Sequence, residues 1–201
     1  MAVGPWWDEA VEHDLTLSGH GITLRPLAAA DAPALLALVD AASWQGFTSP
    51  PPADEPAMRS WVEASVAAPG KVVFAVVGDG GELRGTTSFY DLVEDQGRVE
   101  IGSTLYGRAW WGSSTNPAAK LLLLAQAFDG WGLARVALRA DARNTRSLAA
   151  IERLGAVREG VLRSHRVAGD GTRGDTVYFS VLAAEWPAVR AGLEARLVPA
   201  T

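Results

Sequence analysis

The hydrophobic pattern of this chain changes period several times, and each change predicts an element. Residues 21–27 alternate apolar and polar positions as a half-buried strand does. Asp31 then precedes Leu35, Leu36, Leu38 and Val39 at helical spacing, which predicts a helix with Asp31 at its start. The prolines at 50, 51, 52 and 56 keep residues 49–56 out of a helix interior, because each removes a backbone donor and crowds the preceding turn. A second helix follows over 58–67. Three strand-like runs, 72–77, 84–92 and 99–105, are separated by Gly-rich or acidic turns at 78–81 and 94–97, so they predict an antiparallel meander.

Beyond the meander the pattern predicts a helix over 117–128, a strand over 134–139 and a helix over 145–154. Strands at 156–167 and 175–182 and a final helix over 185–197 complete it. A meander that leads into crossover helices implies one mixed, mostly antiparallel sheet with helices on both faces, an α/β (α+β) architecture. There is no internal repeat. Residues 1–18 have no clear period and read as a leader lying on the domain, pinned by Trp6 and Trp7; residues 19–201 read as a single domain.

Composition narrows the chemistry. The chain has 201 residues and 48% hydrophobic content, enough for one substantial core. It has no run of eighteen apolar residues, and it opens without a basic or apolar signal region, so a soluble, unexported, cytoplasmic protein with no membrane partner is expected. Zero cysteines remove disulfides, thiolate metal sites and a cysteine nucleophile. The three histidines, His13, His20 and His165, are too scattered to suggest a metal centre, so no metal is expected. A net charge of −5 argues against a nucleic-acid partner and favours a small molecule or peptide.

Two segments carry candidate chemistry. In the first, Trp111, Gly112, Ser113, Ser114, Thr115 and Asn116 form a small-residue loop between a strand and a helix, with Asn116 as the expected N-cap and Pro117 at the first helical position. Free N–H groups at such a helix start make an anion site that a pyrophosphate would fit; an ordinary capped helix is the plainer alternative. In the second, Asp141, Ala142, Arg143 and Asn144 end a strand and cap another helix, which carries Leu148, Ile151 and Leu154 on one face and stops at Gly155.

These segments resemble the GNAT acetyltransferases, over residues 21–186. Residues 111–116 are similar to the family's pyrophosphate loop, and closer to a variant reading Trp-Gly-Thr-Gly-x-Asn-x-Glu-x-Lys, which Asn116 and Lys120 match and from which Ser114 and Ala118 depart. Asn144 and Ser147 match the Asn-x-x-Ser of the RimJ/RimL-type branch, and residues 155–163 resemble its Gly-Phe-x-x-Glu-Gly-x-Leu-Arg segment. The resemblance implies the GNAT fold, with a sheet of about seven strands, and acetyl-CoA (coenzyme A) as cosubstrate. It further implies direct transfer of acetyl to a primary amine, on a small molecule or a peptide N-terminus, in a gap between two parallel strands.

The same resemblance assigns residues. Ser103, Thr104 and Leu105 would pair with pantetheine through their backbone, the loop from Trp111 to Asn116 would hold pyrophosphate, and the Asn144 side chain would meet the pantetheine arm. Lys120, Arg143 and Arg146 are candidates to neutralise phosphates, or are simply solvated. Glu159 is the carboxylate the branch pattern makes a base, with an exposed strand carboxylate as the alternative; Glu100, on the strand before the loop, competes with it. Ser147 would protonate the thiolate, or else caps its helix. Ile151 stands where many members hold an acidic tyrosine. Trp44, Gln45 and Phe47 would wall the acceptor cleft, or the two aromatic residues pack into the core. The departures at Ser114, Ala118 and Ile151 leave a second reading, a CoA-binding module without catalysis; a wide cleft would allow a third, a transferase using a longer acyl-CoA such as succinyl-CoA. A homodimer rests on family analogy alone.

Overall fold

A computed structural model describes residues 13–198. Eight strands form one sheet in the order β1-β2-β3-β4-β5-β6-β8-β7. The strands are β1 (Leu17–Gly19), β2 (Ile22–Pro26), β3 (Lys71–Gly78), β4 (Leu83–Val93), β5 (Arg98–Tyr106), β6 (Arg135–Asp141), β7 (Val157–Val167) and β8 (Arg173–Leu182). Every neighbouring pair is antiparallel except β5 and β6. The helices are α1 (Ala32–Leu36), α2 (Glu55–Val66), α3 (Thr115–Ala125), α4 (Thr145–Glu152) and α5 (Trp186–Ala195). Helix α3 supplies the crossover that a parallel neighbour requires.

The sheet divides two cores. Val72, Phe74 and Val76 of β3 point to one side, against side chains of α3, α4 and α5; Val73 and Ala75 point to the other, against α1 and α2. This explains why β3 reads as a nearly unbroken apolar run, Lys-Val-Val-Phe-Ala-Val-Val, rather than an alternation.

The predicted meander, crossovers and two-faced helix cover are all present, and four boundaries differ. Leu17–Gly19, at the end of the segment read as a leader, pair with Ile22–Leu24 as a short edge strand, which is why there are eight strands rather than seven; Trp6 and Trp7 lie outside the described residues. Asp31 stands at the N-cap position of α1 as expected, but its side chain makes no cap bond there. That side chain instead accepts from the Ala28 N–H at 3.0 Å and pairs with Arg25, and the helix is only five residues long, ending at Leu36 before the predicted Val39. Glu55 and Pro56 belong to α2: Asp54 accepts from the Ala57 N–H at 2.9 Å, and a proline in the first turn loses no intrahelical bond. Asn116 is likewise inside α3, whose N-cap is Ser114.

β5 holds the feature that shapes the site. Its pairing with β4 goes from Ser88↔Gly102 to Thr86↔Leu105, so β5 spends three residues where β4 spends two. The extra residue falls at Ser103, which has φ 47. A bulge of this kind shifts the alternation by one. Accordingly Ile101 lies in the core under α3, whereas Leu105, four residues on, lies in the core under α1 and α2.

Two substitutions measure the frame in urea unfolding. Phe74→Ala, which empties a fully buried position in interior strand β3, is expected to cost about 3–5 kcal/mol. Asp54→Ala, which removes only the α2 cap, should cost about 1 kcal/mol.

Candidate active site in the gap between β5 and β6

β5 and β6 pair only over Arg98–Glu100 and Arg135–Ala137. Beyond that point β5 stays bonded to β4 as far as Tyr106, and β6 stays bonded to β8 as far as Asp141. The two inner edges therefore separate, and the backbone of Ser103, Thr104 and Leu105, at and after the bulge, lies along the released edge of β5.

At the open end of the gap stands the start of α3. Gly112 has φ 73, a left-handed conformation that favours glycine, and nothing within 4 Å of where a side chain would project. Ser113 Oγ donates to the Trp110 carbonyl at 2.7 Å and lies 3.2 Å from the Thr115 N–H, which donates to it. Ser114 uses no side-chain cap, and Thr115 is fully buried. Three guanidinium groups gather there. Arg84 lies 4.2 Å from the Trp110 ring centre and donates to Thr115 Oγ1 at 3.3 Å. Arg146, from α4, stacks on Trp111 at 3.5 Å, and Arg108 approaches the same ring at 5.4 Å. Arg84 pairs with Glu82, and Arg108 with Asp40. Burial holds Arg146 below the usual guanidinium range, and its one hydrogen bond among the described residues goes to the Ala42 carbonyl at 3.3 Å. This end can receive a multiply charged anion.

Across the gap Asn144 is buried and caps α4, its Oδ1 accepting from the Ser147 N–H at 3.0 Å. Ser147 is half-buried in the first turn. Ile151 is buried in the core. Arg143 does not point to the loop: it forks onto Asp141, with Nε–Oδ1 at 2.9 Å and Nη2–Oδ2 at 2.8 Å. Lys120 is also away from the loop, buried under the sheet with Nζ 3.1 Å from Thr104 Oγ1, because α3 turns that side chain inward.

The two carboxylates proposed as bases have different surroundings. Glu100 sits where the β5–β6 pairing ends and is 4% exposed. Tyr90 donates to it from the facing strand, and Arg139 Nε lies 2.9 Å away. Burial outweighs these partners and raises the Glu100 carboxyl above the usual carboxylate range. Tyr90 also lies over Gly102, where a side chain would meet its hydroxyl at 2.7 Å. Glu159, in contrast, is on edge strand β7, with β8 between it and β6. Arg135 grips both its oxygens at 2.6 and 2.5 Å and Ser180 donates at 2.8 Å, which holds its carboxyl below the usual range. The structure does not bring Glu159 to the gap.

Trp44 and Phe47 do two things at once. They stack on each other at 4.3 Å and pack edge-on to Trp61, yet with Gln45 they also line a cavity of about 480 Å³ that reaches Pro50, Asp141 and Asn144. Strand alternation places Asp141, Arg139, Ala137 and Arg135 on one face of β6, opposite the core-facing Val136, Leu138 and Ala140. A second cavity, of about 290 Å³, lies against Glu100, Arg139 and Tyr178 on that same face.

This gap, bulge and anion-ready helix start agree with a family comparison. A model of the acetyltransferase (GNAT) domain matches residues 22–157. The chain belongs to the GNAT acetyltransferase family. The "Putative ribosomal N-acetyltransferase YdaF" of Bacillus subtilis is 34% identical over 106 residues, which is 53% of this chain and 57% of that relative. The chain thus aligns with little more than half the length of that curated relative. The "putative acetyltransferase from T. thermophilus" is 40% identical at TM-score 0.86, covering 93% of this chain and 99% of that one. The fold also matches Mycobacterium smegmatis RimJ, solved with CoA-disulfide, at TM-score 0.73 and 22% identity, over 90% and 94% of the two chains.

Within this GNAT domain, sequence reading missed Tyr90, Arg139 and Arg84. Tyr90 and Glu100 face each other in register across the 94–97 turn, so pairing the two predicted strands about that turn would have joined them. Among the described residues no helix is long and apolar enough to cross a membrane, and no group of three or more metal-ligating side chains gathers.

The Arg135–Glu159 pair has a testable pH signature. A lowered folded pKa contributes stability that is complete above the unfolded carboxylate pKa and lost as pH falls through the folded one. Glu159→Gln should therefore be less stable than wild type at pH 7, and the urea midpoints of the two should converge as the pH falls through the lowered carboxyl pKa.

Proposed function

We propose that this GNAT chain is an acetyl-CoA-dependent N-acyltransferase of the RimJ/RimL type that acetylates a primary amine. The observation that carries the reading is the early end of the β5–β6 pairing, at Glu100, with the bulge at Ser103 on one edge and the α3 start at its open end. The residues present fit coenzyme A. Arg84, Arg108 and Arg146 with the first turn of α3 would hold its phosphates. The backbone of Ser103, Thr104 and Leu105 and the side-chain amide of Asn144 would hold the pantetheine arm. Acetyl-CoA supplies the acetyl group as a thioester: the amine nitrogen forms the new C–N bond and the C–S bond breaks.

Glu100 is the base in this reading, accepting the proton the amine gives up. Its raised pKa brings it nearer the operating pH, and Tyr90 and Arg139 fix its orientation. Glu159 is committed to Arg135 and Ser180. Ser147, across the gap, is assigned to return a proton to the departing thiolate. The amine enters from the cavity walled by Trp44, Gln45 and Phe47. The name of YdaF favours a protein N-terminus as acceptor over a small molecule. Apolar side chains exposed on edge strand β7, among them Val161 and Leu162, support a homodimer.

Calorimetric titration with acetyl-CoA tests the reading first. Wild type should bind, Ser114→Arg and Asn144→Ala should bind more weakly, and Glu100→Gln should bind normally. On a panel of peptide and small-molecule amines, Glu100→Gln should lose about 10²–10⁴-fold in kcat/KM. The wild-type rate should rise with pH through a limb placed above the usual carboxylate range, and the variant should lack that limb. A protein that ignores both acetyl-CoA and CoA sinks the proposal. Binding without turnover on any amine would leave a CoA-binding module, and a preference for succinyl-CoA would change the donor.

A further inference from the structure

Lys120 lies inside α3, and its side chain is 5% exposed. Its Nζ donates to Thr104 Oγ1 at 3.1 Å and reaches Thr87 Oγ1 at 3.4 Å, and the two hydroxyls are bonded to each other at 2.9 Å. Among the described residues it has no carboxylate partner, and burial alone lowers its pKa to about 7. An apolar side chain of the same length would fill this space without the cost of desolvating an amine, so packing does not account for a lysine here.

What the amine holds does account for it. Thr104 follows Ser103, where β5 carries its extra residue at φ 47, and Thr87 is the β4 residue passed over in the register between Thr86 and Ser88. Lys120 therefore grips both strands at the ladder interruption beside the gap; the other interruption lies between Tyr90 and Val93. Lys120 does so from the α3 side, opposite the face that holds Glu100. A bulge leaves local backbone unpaired, and its direction is set by side chains beside it.

We propose that Lys120 is a positioning residue: through Thr104 and Thr87 it fixes the bulge at Ser103, and so sets the backbone at and beside the bulge against the pantetheine arm of the acyl donor. The inference rests on the acyltransferase reading. It differs from a role in neutralising phosphate, because the hydrogen bonds of the Lys120 amine among the described residues go to β4 and β5 and not to the loop at residues 111–114.

Two ligands separate these roles: acetyl-CoA, and adenosine 3′-phosphate 5′-diphosphate, which carries the phosphates and no pantetheine. Titration of wild type, Lys120→Met and Thr104→Val with each should give one pattern. Lys120→Met loses about tenfold or more in acetyl-CoA affinity, Thr104→Val loses less, and nucleotide affinity stays within about twofold in both. The melting temperature of Lys120→Met should equal or exceed that of wild type, since a buried amine has been replaced by an apolar side chain. Unchanged acetyl-CoA affinity in Lys120→Met, or an equal loss for both ligands, overturns the inference while leaving the acyltransferase reading intact. Should Lys120→Met fail to fold, Thr104→Val decides the matter alone by the same ratio. Wild-type protein that binds neither ligand removes the acyltransferase reading itself, and this inference with it.

Discussion

A strand can hydrogen-bond two neighbours along its whole length only while its residues stay in step with both. β5 breaks step. The extra residue at Ser103 keeps the strand joined to β4 but turns its far half, and β6 follows β8 instead. Most of the candidate site depends on that break. The released edge offers backbone donors, Glu100 stands at the last shared rung, and the crossover through α3 brings a helix start to the open end. The face switch that moves Leu105 into the second core also locks the bulge by packing, since undoing it would drive a buried leucine to the wrong side of the sheet.

Charge is distributed to match. On the face under α1 and α2, Glu100 is buried among a tyrosine and an arginine. At the open end, Arg146 is stacked on Trp111, where the indole face holds it without neutralising it. Glu159 illustrates the opposite case: a carboxylate with a bidentate arginine partner is stabilised as an anion and is a poor proton acceptor at neutral pH.

Much of this was legible in the sequence wherever a local rule applied. The strand runs 72–77, 84–92 and 99–105 came within a residue or so of β3, β4 and β5, because alternation and the turns at 78–81 and 94–97 are short-range signals. Asn144 was legible as a cap for the same reason. What escaped depends on partners far along the chain. Leu17–Gly19 is a strand only because β2 lies beside it. The bulge has no residue signature, since Ser103 is an ordinary serine in a left-handed conformation imposed by its neighbours. Glu159 matched a branch pattern, yet its role is decided by Arg135, 24 residues earlier on another strand. The inward turn of Lys120 was hidden because a lysine in a helix reads as solvated until its face is known.

The gap between β5 and β6 is held open from outside, by β4 on one flank and β8 on the other, and not by anything within it. An occupant therefore breaks no strand pairing on entry and completes none that the protein lacks for its own stability. An aperture of this kind is part of the frame of the sheet, and a guest can enter or leave it without any strand having to re-pair.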